Sequence, residues 1–186
     1  MKTNKAIFVC GSGGVGKSTF IKKNLKNYKH IDVDIFYEEL LKDNGLGLKI
    51  KKFSNEEISL ANRLFETAGE KNHKFLLNCV EQKIDIVIES IGRSVDVILE
   101  QRNYLEKNGY TTYMIMLYAE LELCIVRVRN RERSYSDTIT TNSWHECYKN
   151  ISNYKMEFKD KFILLNENNI DYYQFITDNL SGKTLL

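Results

Sequence analysis

Gly11-Ser12-Gly13-Gly14-Val15-Gly16-Lys17-Ser18, followed by Thr19, decides how the rest of the chain is read. The run fits G-x-x-x-x-G-K-[ST] at every fixed position. Ala6–Cys10 before it is a continuous apolar run with the length of a buried strand, and residues from about Lys17 to Asn27 carry a helical pattern. A strand, a glycine-rich turn and a helix in that order let successive backbone N–H groups converge on phosphates, with the positive helix end behind them. In that geometry Lys17 reaches the β- and γ-phosphates of a nucleotide, and Ser18 offers its hydroxyl to Mg²⁺. The competing reading is a glycine-rich turn with a chance lysine, which leaves the flanking strand and helix patterns as coincidences.

Four more short apolar runs follow: His30–Val33, Ile84–Glu89, Thr112–Leu117 and Lys161–Leu165. Runs without polar alternation suit strands covered on both faces. Helical patterns separate them. One follows the Ser54-Asn55-Glu56-Glu57 start signal, one runs from Val95 to a stop at Asn108-Gly109, and others span Leu121–Arg133, Trp144–Phe158 and Tyr172–Leu180. Strands alternating with helices predict an α/β protein: a three-layer fold with a five-stranded parallel sheet. Ser134–Asn142 is polar and lacks apolar periodicity, so it reads as a flexible piece within a lid of about residues 127–143.

Ligands of parallel sheets lie beyond the carboxyl ends of the strands. Asp34, in Ile31-Asp32-Val33-Asp34, falls at that end of the second strand. A carboxylate there accepts the proton of an attacking hydroxyl; the plainer reading is a helix cap. Asp32 aids or merely flanks it. Glu89 closes the third strand, where an acidic residue supports Mg²⁺ through water, and Arg93 stands just beyond it to hold a substrate or phosphate oxygen. The plain alternative is that Ser94 caps the next helix and Arg93 is solvated. Arg127, Arg129, Arg131 and Arg133 alternate along the chain. Arg127 and Arg131, four apart, share a helix face and suit the phosphates of a transferring group better than a merely solvated basic face.

The 186 residues fit one domain, and their 42% hydrophobic and 28% charged content is that of a globular protein. No run of about 18 apolar residues occurs, so no membrane span and a cytosolic setting are expected. Cys10, Cys79, Cys124 and Cys147 are scattered without metal spacing and read as free buried thiols. A net charge of +2 neither demands nor excludes nucleic acid. There is no N-K-x-D element, which argues against a GTPase switch. Tyr37, Phe36 and Trp144 are the candidate rings for base stacking, and the three histidines fall in no recognisable constellation.

The segments GSGGVGKST, IDVDIFY, IVIES, KNGYTTYMIMLYAELELCIVRVRNR and CYKNISNYK together resemble the 5′-polynucleotide kinase domain of bacteriophages and its relatives, the zeta-toxin-like kinases and the phage kinases of hydroxymethylated DNA bases. The resemblance covers most of the chain to about residue 160. It implies an ATP- and Mg²⁺-dependent kinase acting on a hydroxyl of a nucleic acid or nucleotide, with a zeta-toxin-like sugar-nucleotide kinase or a small-molecule nucleoside kinase as alternatives. By this resemblance Asp34 matches the general base, Arg131 the lid arginine on ATP phosphates with Arg127 one turn before it, and Glu89 a recurrent acidic position. Gly11, Ser12, Gly13, Gly14, Val15, Gly16, Lys17, Ser18 and Thr19 form the ATP site, and Ser18 with Glu89 the metal side. Asp34, Tyr37, Glu89 and Arg93 face the acceptor. The polynucleotide kinases carry an arginine three residues after the base, and this chain has Tyr37 there.

Overall fold

A computed structural model describes residues 3–50, 53–133 and 135–166 of the chain. Its centre is the first strand, β1 (Asn4–Cys10), whose residues from Ala6 to Cys10 are fully buried. Strands β2 (Lys29–Ile31), β3 (Ile86–Ser90), β4 (Tyr110–Leu117) and β5 (Phe162–Leu165) join it in a parallel sheet of order β2-β3-β1-β4-β5. Side chains alternate across a strand, so β1 feeds two cores at once. Ala6, Phe8 and Cys10 enter one, with Leu76, Ile98 and Tyr154; Ile7 and Val9 enter the other, with Ile21, Val87 and Cys124. Burying each large side chain stabilises the fold by about 1.5–3 kcal/mol, which is why this strand has no polar position after Lys5.

The helices are α1 (Lys17–Asn24), α2 (Val33–Asp43), α3 (Asn55–Glu81), α4 (Val95–Lys107), α5 (Leu121–Arg129), α6 (Asp137–Tyr148) and α7 (Ile151–Phe158). They cover both sheet faces and complete the three-layer α/β fold expected from the alternating pattern. Helix α3 starts on a full capping box: the Ser54 hydroxyl accepts from the Glu57 N–H, and the Glu57 carboxylate accepts from the Ser54 N–H. Its first half packs on α2 in a separate small core of Tyr37, Leu41, Leu48, Ala61, Leu64 and Ala68. No helix of the described residues is long and apolar enough to cross a membrane.

Four expectations need correction. Strand β2 ends at Ile31, because Asp32 caps α2: its carboxylate accepts the Asp34 N–H at 3.0 Å. Asp34 is therefore a first-turn residue of α2 and not its cap. Helix α5 stops at Arg129, so Arg131 and Arg133 lie in the loop beyond it. The stretch read as flexible starts α6 instead, with Ser136 accepting from the Ile139 N–H at 3.3 Å; a good cap and a first-turn Asp137 outweigh the missing apolar period. Finally, the single helix expected over Trp144–Phe158 is broken at Asn150, whose side-chain amide donates to the Gly92 and Arg93 carbonyls at 3.3 and 2.9 Å. The helix expected over Tyr172–Leu180 lies outside the described residues.

Candidate active site

The glycine-rich loop leaves the carboxyl end of β1 and turns into α1. Gly14 (φ 85°) and Gly16 (φ 100°) hold left-handed backbone, which only glycine adopts without strain. The reasons for the two glycines differ. A Cβ on Gly14 would overlap the Cys124 carbonyl on α5, so the loop is pressed against that helix. A Cβ on Gly16 would meet nothing, so this glycine serves the turn itself. Ser12 is fully buried beneath the loop, its hydroxyl 3.4 Å from Cys124 Sγ.

Lys17 is buried, and its ammonium donates to the Gly11 and Ser12 carbonyls at 2.9 and 3.1 Å. It also lies 4.0 Å from Glu89 Oε1. The Ser18 hydroxyl donates to the same Glu89 oxygen at 3.1 Å. The other Glu89 oxygen, Oε2, is 3.1 Å from His30 Nε2, which in turn lies 4.0 Å from Asp32 Oδ2. Burial alone would raise the Glu89 pKa, but the His30 hydrogen bond, the Lys17 charge and the Ser18 hydroxyl hold it below the usual carboxylate range. Asp32 goes the other way. Burial first, then the Glu89 and Asp34 carboxylates, push it up to about 6, against the opposing Asp34 N–H and His30.

In the first turn of α2, Asp34 forms an ion pair with Arg133, whose Nε also reaches Glu38 Oε1 at 3.4 Å. The Arg133 guanidinium lies 5.4 Å from the centre of the Tyr135 ring and 6.0 Å from that of Tyr37. Its side chain is only 11% exposed, against 40% for that of Asp34, so the arginine is the anchored member of the pair. Burial disfavours the Arg133 charge, yet its bond to Asp34 and the neighbouring Tyr135 and Glu38 raise its pKa overall.

Arg127 and Arg131 come together as expected. Both line a cleft of about 570 Å³ with Gly14, Val15, Gly16, Thr19, Phe20 and Tyr118, within the size range of nucleotide-sized pockets. Arg129 instead pairs with Asp137 and ties the end of α5 to the start of α6. Other candidates take different places. Tyr37 is 5% exposed, and its ring packs edge-on against Phe65 at 5.2 Å in the α2–α3 core, so it does not present its face to a substrate. Phe36 packs edge-on against Phe75, and the Trp144 indole N–H donates to the Ala119 carbonyl at 2.9 Å, so both half-buried rings also serve the packing of the fold. Arg93 is exposed, with no side-chain hydrogen bond or ion pair among the described residues, and Ser94 holds the cap position of α4 without a side-chain bond.

Sequence reasoning missed His30 and Arg133. His30 sits two residues before Asp32 and pairs with Val87, two residues before Glu89, a proximity visible only once β2 and β3 are known to be neighbours. Arg133 was passed over because a continuous helix through residue 133 would have turned it away from the Arg127–Arg131 face.

A phosphate-binding loop at the end of the central strand, in a sheet of order β2-β3-β1-β4-β5, defines a P-loop protein of the kinase-like class. The model of the Zeta toxin family matches residues 1–174, and the chain belongs to that family, a group of P-loop kinase-like phosphotransferases. No curated protein matches the chain. Among solved structures, a kinase described as putative from Chloroflexus aurantiacus aligns over 99% of this chain and 100% of its own, at 16% identity and a TM-score of 0.67. A structure from the PezAT toxin–antitoxin system of Streptococcus pneumoniae aligns over 100% of this chain and 81% of its own, at 19% identity and a TM-score of 0.62. The AvrRxo1-ORF1:-ORF2 structure with ATP aligns over 99% and 67%, at 14% identity and a TM-score of 0.64. At these identities the likenesses show the fold.

Proposed function

We propose that this protein is an ATP-dependent kinase that transfers the γ-phosphate to a hydroxyl of a nucleotide-type acceptor. The observation that carries the reading is two groups of side chains: Lys17 and Ser18 on the phosphate loop, gathered on Glu89, and Asp34 in the first turn of α2, held by Arg133. The ATP complex of a structural neighbour supports ATP as the donor. In this reading the loop N–H groups and Lys17 hold the β- and γ-phosphates, and Arg127 and Arg131 close on them from the α5 side. Asp34 accepts the proton of the attacking hydroxyl, whose oxygen then bonds to phosphorus as the bridge to ADP breaks. The Ser18 hydroxyl with the Glu89 and Asp32 carboxylates is a hard-oxygen donor set that fits Mg²⁺, and the His30, Asp32 and Glu89 ligand atoms lie within 4.8 Å of one another. Bound there, magnesium would neutralise charge on the phosphates of the nucleotide.

Membership in the Zeta toxin family favours a sugar nucleotide as the acceptor. The 5′-hydroxyl of DNA or RNA and a hydroxymethyl base such as 5-hydroxymethyluracil form the second arm of the proposal, carried by the resemblance to polynucleotide kinases. A labelled γ-phosphate transfer screen separates the arms. Its panel holds nucleotide sugars, free nucleosides, 5′-hydroxyl DNA and RNA, and hydroxymethyluracil DNA. Label on the nucleotide sugars alone supports the first arm, label on a polynucleotide the second, and no acceptor-dependent ADP release from any of them overturns both.

A further inference from the structure

Val87 and Glu89 lie two apart on β3 and therefore face the same side of the sheet. Val87 belongs to the core that also holds Ile21 of α1, so Glu89 points toward the phosphate loop. His30 is the lateral partner of Val87 on β2, which brings its ring to that side, one pleat short of Glu89. The imidazole closes the gap: Nε2 lies 3.1 Å from Glu89 Oε2. A carboxylate only accepts, so Nε2 carries the proton of this bond. With Oε2 engaged, Oε1 is left to the Ser18 hydroxyl at 3.1 Å.

We infer that His30 is a positioning residue of the donor site: it fixes the rotation of the Glu89 carboxylate so that the oxygen facing Ser18 is preset for the divalent cation that accompanies the nucleotide. The inference rests on the nucleotide-binding reading of the loop. Its physical basis is preorganisation. A carboxylate free to turn about its last bond loses that freedom when it supports a cation, whereas one already held by a neighbouring N–H does not. Hydrogen-bonding partners behind metal-supporting groups are typically worth about 10–100-fold in metal affinity. His30 touches neither nucleotide nor acceptor in this scheme and acts only through Glu89.

Calorimetric titration of the whole chain tests this without any acceptor. ADP binding is measured in EDTA and again across a Mg²⁺ series, for wild type, His30→Ala, His30→Gln, Glu89→Gln and the His30→Ala, Glu89→Gln double variant, with thermal melts to verify folding. The expected result for His30→Ala is a loss of about tenfold in apparent Mg²⁺ affinity of the ADP complex, with metal-free ADP affinity within about twofold of wild type. His30→Gln keeps an N–H donor at similar reach and restores Mg²⁺ affinity to within about threefold. In the Glu89→Gln background, His30→Ala adds less than about twofold. Wild-type Mg²⁺ affinity in His30→Ala overturns the inference, as does a His30→Gln no better than His30→Ala, or an equal fall of the metal-free and Mg²⁺ titrations. A wild-type chain that binds no ADP overturns the loop reading beneath it, a result distinct from an intact wild type with an unaffected His30→Ala.

Discussion

On the proposed donor wall, the loop groups come from eight consecutive residues, and Lys17 rests on the carbonyls of Gly11 and Ser12, six and five residues before it. On the acceptor wall, Asp34 is held by Arg133, 99 residues further along the chain. The first wall is local, encoded by a loop and the helix that follows it. The second exists only after α2 and the loop beyond α5 have been brought together. Damage to the first should abolish function with little long-range consequence, while damage to the second should act through geometry and be graded.

The largest expected effect is that of Lys17→Ala. Removal of the ammonium from the loop lowers phosphate transfer by about 10³-fold or more, read as acceptor-dependent ADP release, because this charge meets the phosphates directly. A smaller loss contradicts a donor wall centred on Lys17. Next comes Gly14→Ala, a test of whether the local wall also leans on α5. The added methyl overlaps the Cys124 carbonyl and forces left-handed backbone on alanine. A destabilisation of about 2–3 kcal/mol in urea unfolding is expected, and a variant as stable as wild type would mean that the loop and α5 are not in tight contact.

Arg133→Ala probes the long-range wall. Asp34 and Glu38 lose their shared partner, and turnover should fall about tenfold while the KM for ATP changes by less than about twofold. Arg133→Lys keeps the charge but not the fork that meets two carboxylates, and should lie between the two. Faster turnover in Arg133→Ala would recast the pair as a brake on the base.

The smallest effect concerns Asp32, between the two walls. Its folded pKa, pushed up to about 6, stands above that of an ordinary aspartate. The folded state thus disfavours its ionised form, and its contribution turns destabilising as pH rises from about 4 through 6. Asp32→Asn keeps a capping oxygen for α2 and removes that charge. It should leave stability nearly unchanged near pH 4 and raise it at pH 7–8, where the wild-type carboxylate is ionised. Equal stability curves at both pH values would remove Asp32 from the crowded carboxylate group.

The same contrast explains what the sequence disclosed. Five parallel strands, the phosphate loop and the Ser54 cap were legible because each is written in contiguous residues with a fixed period or spacing. The nearness of Arg127 and Arg131 was legible too, although Arg131 lies just past the end of α5 and not on the helix face that the i, i+4 spacing suggested. Arg133 was not, since its position depends on α5 ending at Arg129, and helix ends are set by tertiary contacts as much as by propensity. His30 was hidden for a similar reason: nothing in KHIDVD says that β3 lies alongside. Tyr37 was offered as a stacking ring from its place in IDVDIFY, and its packing in the α2–α3 core emerges only once α2 and α3 are seen together.

In the proposed mechanism Asp34 serves the chemistry and not the grip on ATP. Single-turnover γ-phosphate transfer and nucleotide affinity, measured side by side for wild type and Asp34→Asn with the acceptor found in the screen, test it most directly. Asp34→Asn is expected to bind ATP within about twofold of wild type and to transfer phosphate about 10²–10⁴-fold more slowly; transfer at the wild-type rate, or a loss explained wholly by weaker ATP binding, would rule out Asp34 as the base.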